Sequence, residues 1–228
     1  MTKQKNILLV GLVVIVIVGG YYAKRRFYDP AHRLSIAADQ VKLLLAEGKV
    51  QDGDIIFQTS QSAQSIAIQL ATHSPYSHCG IIFKKDSNYF VFEAVQPIKQ
   101  TPLDKWIAKG KDEHYVIKRL KNSMEVLNPI VIQKLKEIGN SFNGKSYDIY
   151  FDWSDERMYC SELIWKMYQR ATGIEIGKLE KLGDFDLSNE AVKQKLKERY
   201  GDNIPLNEIV ISPANIYNSD LLRTIKAN

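Results

Sequence analysis

Residues 78–95, HCGIIFKKDSNYFVFEAV, constrain the fold more than any other stretch of the chain. Two runs rich in Ile, Val, Phe and Tyr flank the turn Lys85-Asp86-Ser87-Asn88, and Pro97 stops the second run. This is the pattern of a β-hairpin with a four-residue loop and strands at 78–84 and 89–95. A symmetric turn pairs Lys84 with Tyr89, Ile82 with Val91, Gly80 with Glu93 and His78 with Val95. Side chains alternate along a strand, so His78, Gly80, Ile82, Val91, Glu93 and Val95 share one face. Glu93 is then the diagonal neighbour of His78, roughly 7–8 Å away between Cα atoms. Gly80, opposite Glu93, leaves room for the two side chains to meet. A carboxylate on a face otherwise made of Ile and Val needs a partner, and His78 supplies one.

The second constraint is CSELIWKMYQRATG, residues 160–173. Leu163, Ile164, Met167, Tyr168 and Ala171 recur at helical spacing and Gly173 stops the run. Cys160 therefore lies in the first turn of an amphipathic helix, where the dipole and unpaired N–H groups favour a thiolate. Those N–H groups suit an oxyanion formed beside the sulfur. A cysteine at a helix start and a histidine held by a carboxylate meet the requirement for thiol nucleophilic catalysis. The alternative is a small buried hydrophobe, since free cysteine is among the most buried residue types. The chain has only two cysteines, Cys79 and Cys160, and in an exported protein they could bridge. Cys79 follows His78 and points to the other face of its strand. If His78 reaches Cys160, Cys79 is expected not to, which sets the disulfide against the dyad.

Around these two features the chain divides into three parts. Residues 1–26 hold Lys3 and Lys5, the uncharged span 7–23 and Lys24-Arg25-Arg26. They read as a signal-anchor or transmembrane segment, because ILLVGLVVIVIV has no polar face. Residues 27–50 read as a linking helix with Leu34, Ala37, Val41, Leu44 and Leu45 inward, and 51–228 as the domain. Without the five basic residues of the first part, 26 basic groups face 26 acidic ones, which removes the main support for a nucleic-acid partner. Further helices are expected at 61–72 (through Ile66, Ile68 and Leu70), 128–140 and 188–200. Further strands are expected at 55–57, 114–120 and 209–211, and a helical turn follows Pro213. Four scattered histidines and two cysteines give no zinc spacing, and no phosphate loop appears, so neither metal nor cofactor is expected. His73 and His114 read as surface residues. Tyr76, Tyr147 and Ser161 are the candidate oxyanion or substrate contacts.

Gly53-Asp-Ile-Ile-Phe57, Ser77-His-Cys-Gly80, Phe92-Glu-Ala94 and Tyr159-Cys-Ser-Glu-Leu163 occur in the order found in the YiiX/YebB-like cysteine hydrolases, and the chain resembles that family. These proteins form a circularly permuted, papain-like branch of the NlpC cell-wall peptidase superfamily, with lecithin retinol acyltransferases among their relatives. The resemblance implies an α+β fold in which a small antiparallel sheet packs against the Cys160 helix. It implies Cys160 as nucleophile, His78 as base and Glu93 as third residue; Asp54 would hold structure. The expected function is hydrolysis of an amide or ester through an acyl-enzyme, on a cell-wall peptide or amino-acid amide. Lipid acyl transfer or hydrolysis and a non-catalytic peptidoglycan- or lipid-binding module are the alternatives. The resemblance also places the domain on the extracytoplasmic side of a membrane.

Overall fold

The hairpin lies within a six-stranded antiparallel sheet. The computed structural model describes residues 29–228. Its main strands are β1 (Ile55–Gln58), β2 (His78–Lys85), β3 (Asn88–Glu93), β4 (Lys99–Pro102), β5 (Val116–Leu120) and β6 (Leu222–Ala227), in the order β6-β5-β1-β2-β3-β4. Every residue of β1 is buried. That is why Ile55-Ile56-Phe57 reads as an unbroken apolar run: helices cover both faces of the sheet here.

The main helices are α1 (Asp29–Ala46), α2 (Ala63–Thr72), α3 (Leu103–Ile107), α4 (Pro129–Phe142), α5 (Cys160–Thr172), α6 (Glu190–Tyr200) and α7 (Pro213–Tyr217). On one face of the sheet, Ile55, Phe57, Cys79, Ile81 and Phe92 share a core with Leu163, Ile164, Met167 and Tyr168 of α5, and α4 packs against α5. On the other face, Ile56, Ile82, Val91 and Ile117 meet Trp106 and Ile107 of α3 and Ala37 and Leu44 of α1. A third cluster, Ala67 of α2 with Leu182, Val192, Leu196 and Val210, joins α2 to α6. Gly173 ends α5 in the left-handed region at φ +76°, as a glycine stop should. Asp54 accepts from both Arg119 Nε (2.6 Å) and Arg119 Nη2 (2.8 Å) inside the fold, so its role is structural.

The hairpin register is as expected, with Ile82 opposite Val91 and Lys84 opposite Tyr89. The loop is shorter than expected. Lys85 pairs with Asn88, which leaves a two-residue turn with Asp86 at φ +56°. Leu45 of α1 and Ile66 of α2 face solvent at 37% and 57% exposure, while Ala67 is buried. Two strands escape the pattern of the sequence. β6, LRTIKA, lacks apolar alternation and is strand only because it pairs with β5; β4, KQTP, is an edge held by β3. The expected anchor at 7–23 lies outside the described residues. Among the described residues, no helix is long and apolar enough to cross a membrane.

Candidate active site

His78 opens β2, and its side chain turns to the same face as Glu93 near the end of β3. His78 Nε2 lies 2.6 Å from Glu93 Oε2. The site for this contact exists because residue 80 is glycine. A Cβ there would come within 2.3 Å of Val91 Cγ1 and 2.9 Å of the Phe92 carbonyl oxygen. The other carboxylate oxygen, Oε1, accepts from Thr101 Oγ1 at 2.6 Å, with Lys109 Nζ at 3.7 Å. Trp106 stacks on the imidazole, ring centres 5.8 Å apart and planes 24° from parallel. With Nε2 engaged by Glu93, Nδ1 is the nitrogen left to face Cys160, the first residue of α5, which is near enough to raise the imidazole electrostatically.

Cys79 also reaches Cys160, which corrects the expected exclusion. Alternation does send His78 and Cys79 to opposite faces, but α5 lies on the Cys79 face, so Cys79 shares a core with Cys160 while both it and His78 act on the sulfur electrostatically. Both cysteines are free thiols.

The charges reinforce one another. A hydrogen bond from the Cys79 thiol is the strongest influence on Cys160; with the His78 contact it overcomes burial and holds Cys160 well below the ordinary thiol value. Burial alone would depress His78, but its bonds to Cys160 and Glu93, and their charges, raise it to about 10. Burial pushes Glu93 up, yet His78 and Thr101 bring it below the usual glutamate value. Burial and the neighbouring sulfur push Cys79 well above its ordinary value. These shifts favour a thiolate at Cys160 beside an imidazolium at His78 and a carboxylate at Glu93, with the Cys79 thiol kept protonated next to the thiolate.

The three further candidates have different surroundings. Tyr147 lies near Cys160; burial, followed by the charge on that sulfur, raises its phenol, which accepts from Gln64 Nε2 at 3.0 Å. Ser161 Oγ donates to the Ile211 carbonyl at 2.7 Å, so its hydroxyl is committed to the fold. Tyr76 packs against the ring of Tyr217 at 4.3 Å and edge-on to Phe57 at 6.1 Å, an aromatic cluster within the core.

A groove of about 740 Å³, including its open mouth, runs from Cys160 between α2 and α6. Its walls are mainly apolar (Ala67, Ile68, Phe151, Leu182, Val192 and Leu196), with Gln64, Tyr147, Lys195 and Arg199 among its polar lining. Gln64, Thr101, Trp106 and Arg199 were not singled out from the sequence. Gln64 and Arg199 sit on helices that read as solvated faces, and nothing local links them to residues some 80 to 135 positions away.

Residues 49–226 match the family described as permuted papain-like amidase enzyme, YaeF/YiiX, C92 family. The chain is 47% identical over 194 residues to the uncharacterized protein YiiX of Escherichia coli (strain K12), covering 85% of this chain and 95% of that one. It also resembles a crystal structure described as metalloprotein yiiX from Escherichia coli O157:H7, with a TM-score of 0.75 and 49% identity, covering 79% of this chain and 98% of that chain. Among the described residues of this chain, no group of three or more His, Cys, Asp or Glu side chains is placed to hold a metal ion.

Proposed function

Since the chain belongs to the permuted papain-like amidases of the YaeF/YiiX family, we propose that it cleaves an amide with Cys160 as nucleophile, His78 as proton carrier and Glu93 as the acceptor that orients His78. The Cys160 thiolate attacks the carbonyl carbon, and the N–H groups at the start of α5 receive the developing oxyanion. Tyr147, whose raised phenol stays protonated, is a second donor. As the intermediate collapses, the C–N bond breaks and His78 gives its proton to the departing amine. Neutral His78 then takes a proton from water, which attacks the thioester and releases a carboxylic acid and the free thiolate. The observation that carries this reading is the His78–Glu93 hydrogen bond placed beside Cys160 at the head of α5, with Cys79 and the His78 charge holding the Cys160 thiol below its ordinary value. Cys160→Ala is expected to lose at least about a thousandfold in turnover while the chain stays folded. Activity retained in that variant would remove Cys160 from the reaction.

A cell-wall peptide or amino-acid amide is one substrate reading. The apolar groove favours another: an amide whose acyl part is a hydrocarbon chain, seated between α2 and α6 with its carbonyl at Cys160. Rates that rise steeply from acetyl to decanoyl amides would support the acyl reading, and rates indifferent to chain length would return the substrate to the peptide class. On the sequence of residues 7–23, we further propose that the domain works beside a membrane, and on the family resemblance that it lies on the extracytoplasmic side.

A further inference from the structure

The groove beside Cys160 carries one charge that the proposed chemistry does not use. Arg199, on α6, is half-buried in its wall. Its Nη2 donates to Gln64 Oε1 at 3.2 Å, and the guanidinium lies 4.4 Å from the centre of the Phe151 ring. Arg33, Arg119, Arg157 and Arg170 each hold a carboxylate: Glu113, Asp54, Asp152 and Asp155. Arg199 holds none among the described residues. Its neighbour on the groove, Lys195, is already paired with Glu198. A guanidinium has five N–H donors in a planar fork suited to carboxylate and phosphate. Here it has the neutral amide of Gln64, the neutral phenol of Tyr200 and an aromatic face, which fix its orientation and bring no countercharge.

The position of that charge connects it to the reacting atoms. Gln64 bridges Arg199 and Tyr147, accepting from the former through Oε1 and donating to the phenol of the latter through Nε2 at 3.0 Å. The Tyr147 phenol feels both the Cys160 sulfur and the Arg199 cation, which act on it in opposite senses. Arg199 is therefore tied to the Cys160 end of the groove, and its charge acts across low-dielectric apolar walls.

We propose that Arg199 is an anion-binding residue of the substrate site, and that the site takes an amphiphilic acyl compound carrying a carboxylate or phosphate close to its scissile carbonyl. This rests on the acyl-chain reading of the groove. The hydrocarbon chain lies along Ala67, Ile68, Leu182 and Leu196, and Arg199 receives the anionic group. Two sources share this chemistry: an N-acyl amino acid, through its carboxylate, and an acylated phosphate ester.

The test is calorimetric binding to the full chain carrying Cys160→Ala, so that the result does not depend on whether Cys160 is the nucleophile. N-decanoylglycine is compared with its neutral amide, and decanoyl lysophosphatidate with neutral monodecanoylglycerol. At least one anionic ligand is expected to bind about tenfold to a hundredfold tighter than its neutral counterpart. The pair with the larger ratio identifies the source. Arg199→Met on the same background should bring the ratio close to one, and Arg199→Lys should keep most of it. Equal binding of charged and neutral ligands, no binding of any of the four, or a preference that survives Arg199→Met would each overturn the proposal. The turnover of wild type against Cys160→Ala separately decides the nucleophile.

Discussion

The thiolate–imidazolium pair has two limits in pH, one from each partner. Cys160 stays ionised down to a value well below 9.0, and His78 stays protonated up to about 10. A histidine raised above its reference value of 6.5 contributes stability that is complete below 6.5 and lost as pH rises through about 10. Glu93 helps to sustain that upper limit, because without its charge burial depresses the imidazole more strongly. In Glu93→Gln the alkaline limit of the ion pair should therefore fall by about one unit or more, and turnover by roughly tenfold to a hundredfold. A pH titration of the His78 ring protons by nuclear magnetic resonance checks this; an unmoved limit would separate Glu93 from the His78 charge. The His78–Glu93 contact was legible in the sequence, because strand alternation and a glycine opposite Glu93 are local properties. The Cys79–Cys160 contact was not. Alternation tells which way each side chain leaves the strand, but not which face α5 will cover.

At the scale of elements, the site depends on how closely β2 and β3 approach at Gly80. A valine there would put its Cβ 2.3 Å from Val91 Cγ1, with further methyl groups beyond it and the backbone oxygen of Phe92 close by. The strands would have to part, and overpacking of this kind costs roughly 1–3 kcal/mol. Because Glu93 lies directly across from position 80, the same displacement moves its carboxylate away from His78. Gly80→Val should accordingly lower the melting temperature and also slow alkylation of Cys160 by iodoacetamide near neutral pH. Melting and alkylation that both match wild type would show that the strands absorb the side chain. The helix α5 was legible by its period and its glycine stop, α6 as a charged helix expected at 188–200, and the hairpin by its two apolar runs and turn. Their seats were not: the groove is defined by where α6 docks against α2, through Ala67, Val192 and Leu196, and no local pattern encodes that distance. β4 and β6 escaped for a related reason, since pairing with a neighbour makes them strands in spite of polar compositions.

For the molecule as a whole, the two faces of the sheet are coupled through His78. The ring meets Cys160 on one side and stacks on Trp106, which belongs to the core of the opposite face. That second core is closed by α1, whose Ala37 and Leu44 are buried against it, although α1 lies before the residues matched to the family. Removing side-chain volume from α1 should therefore be felt at a candidate site that α1 does not line. Leu44→Ala deletes a fully buried side chain, at a cost of about 2–5 kcal/mol. In a chain of this size that corresponds to a fall in melting temperature of roughly 5–15 °C. Leu43→Ala, one position earlier and 60% exposed, should change stability by no more than about 0.5 kcal/mol. If Trp106 holds the imidazole in place, Leu44→Ala should also slow Cys160 alkylation at temperatures where the variant is still folded, and Leu43→Ala should not. A destabilised Leu44→Ala protein that alkylates at the wild-type rate would confine α1 to stability and leave the geometry of His78 to Glu93 alone.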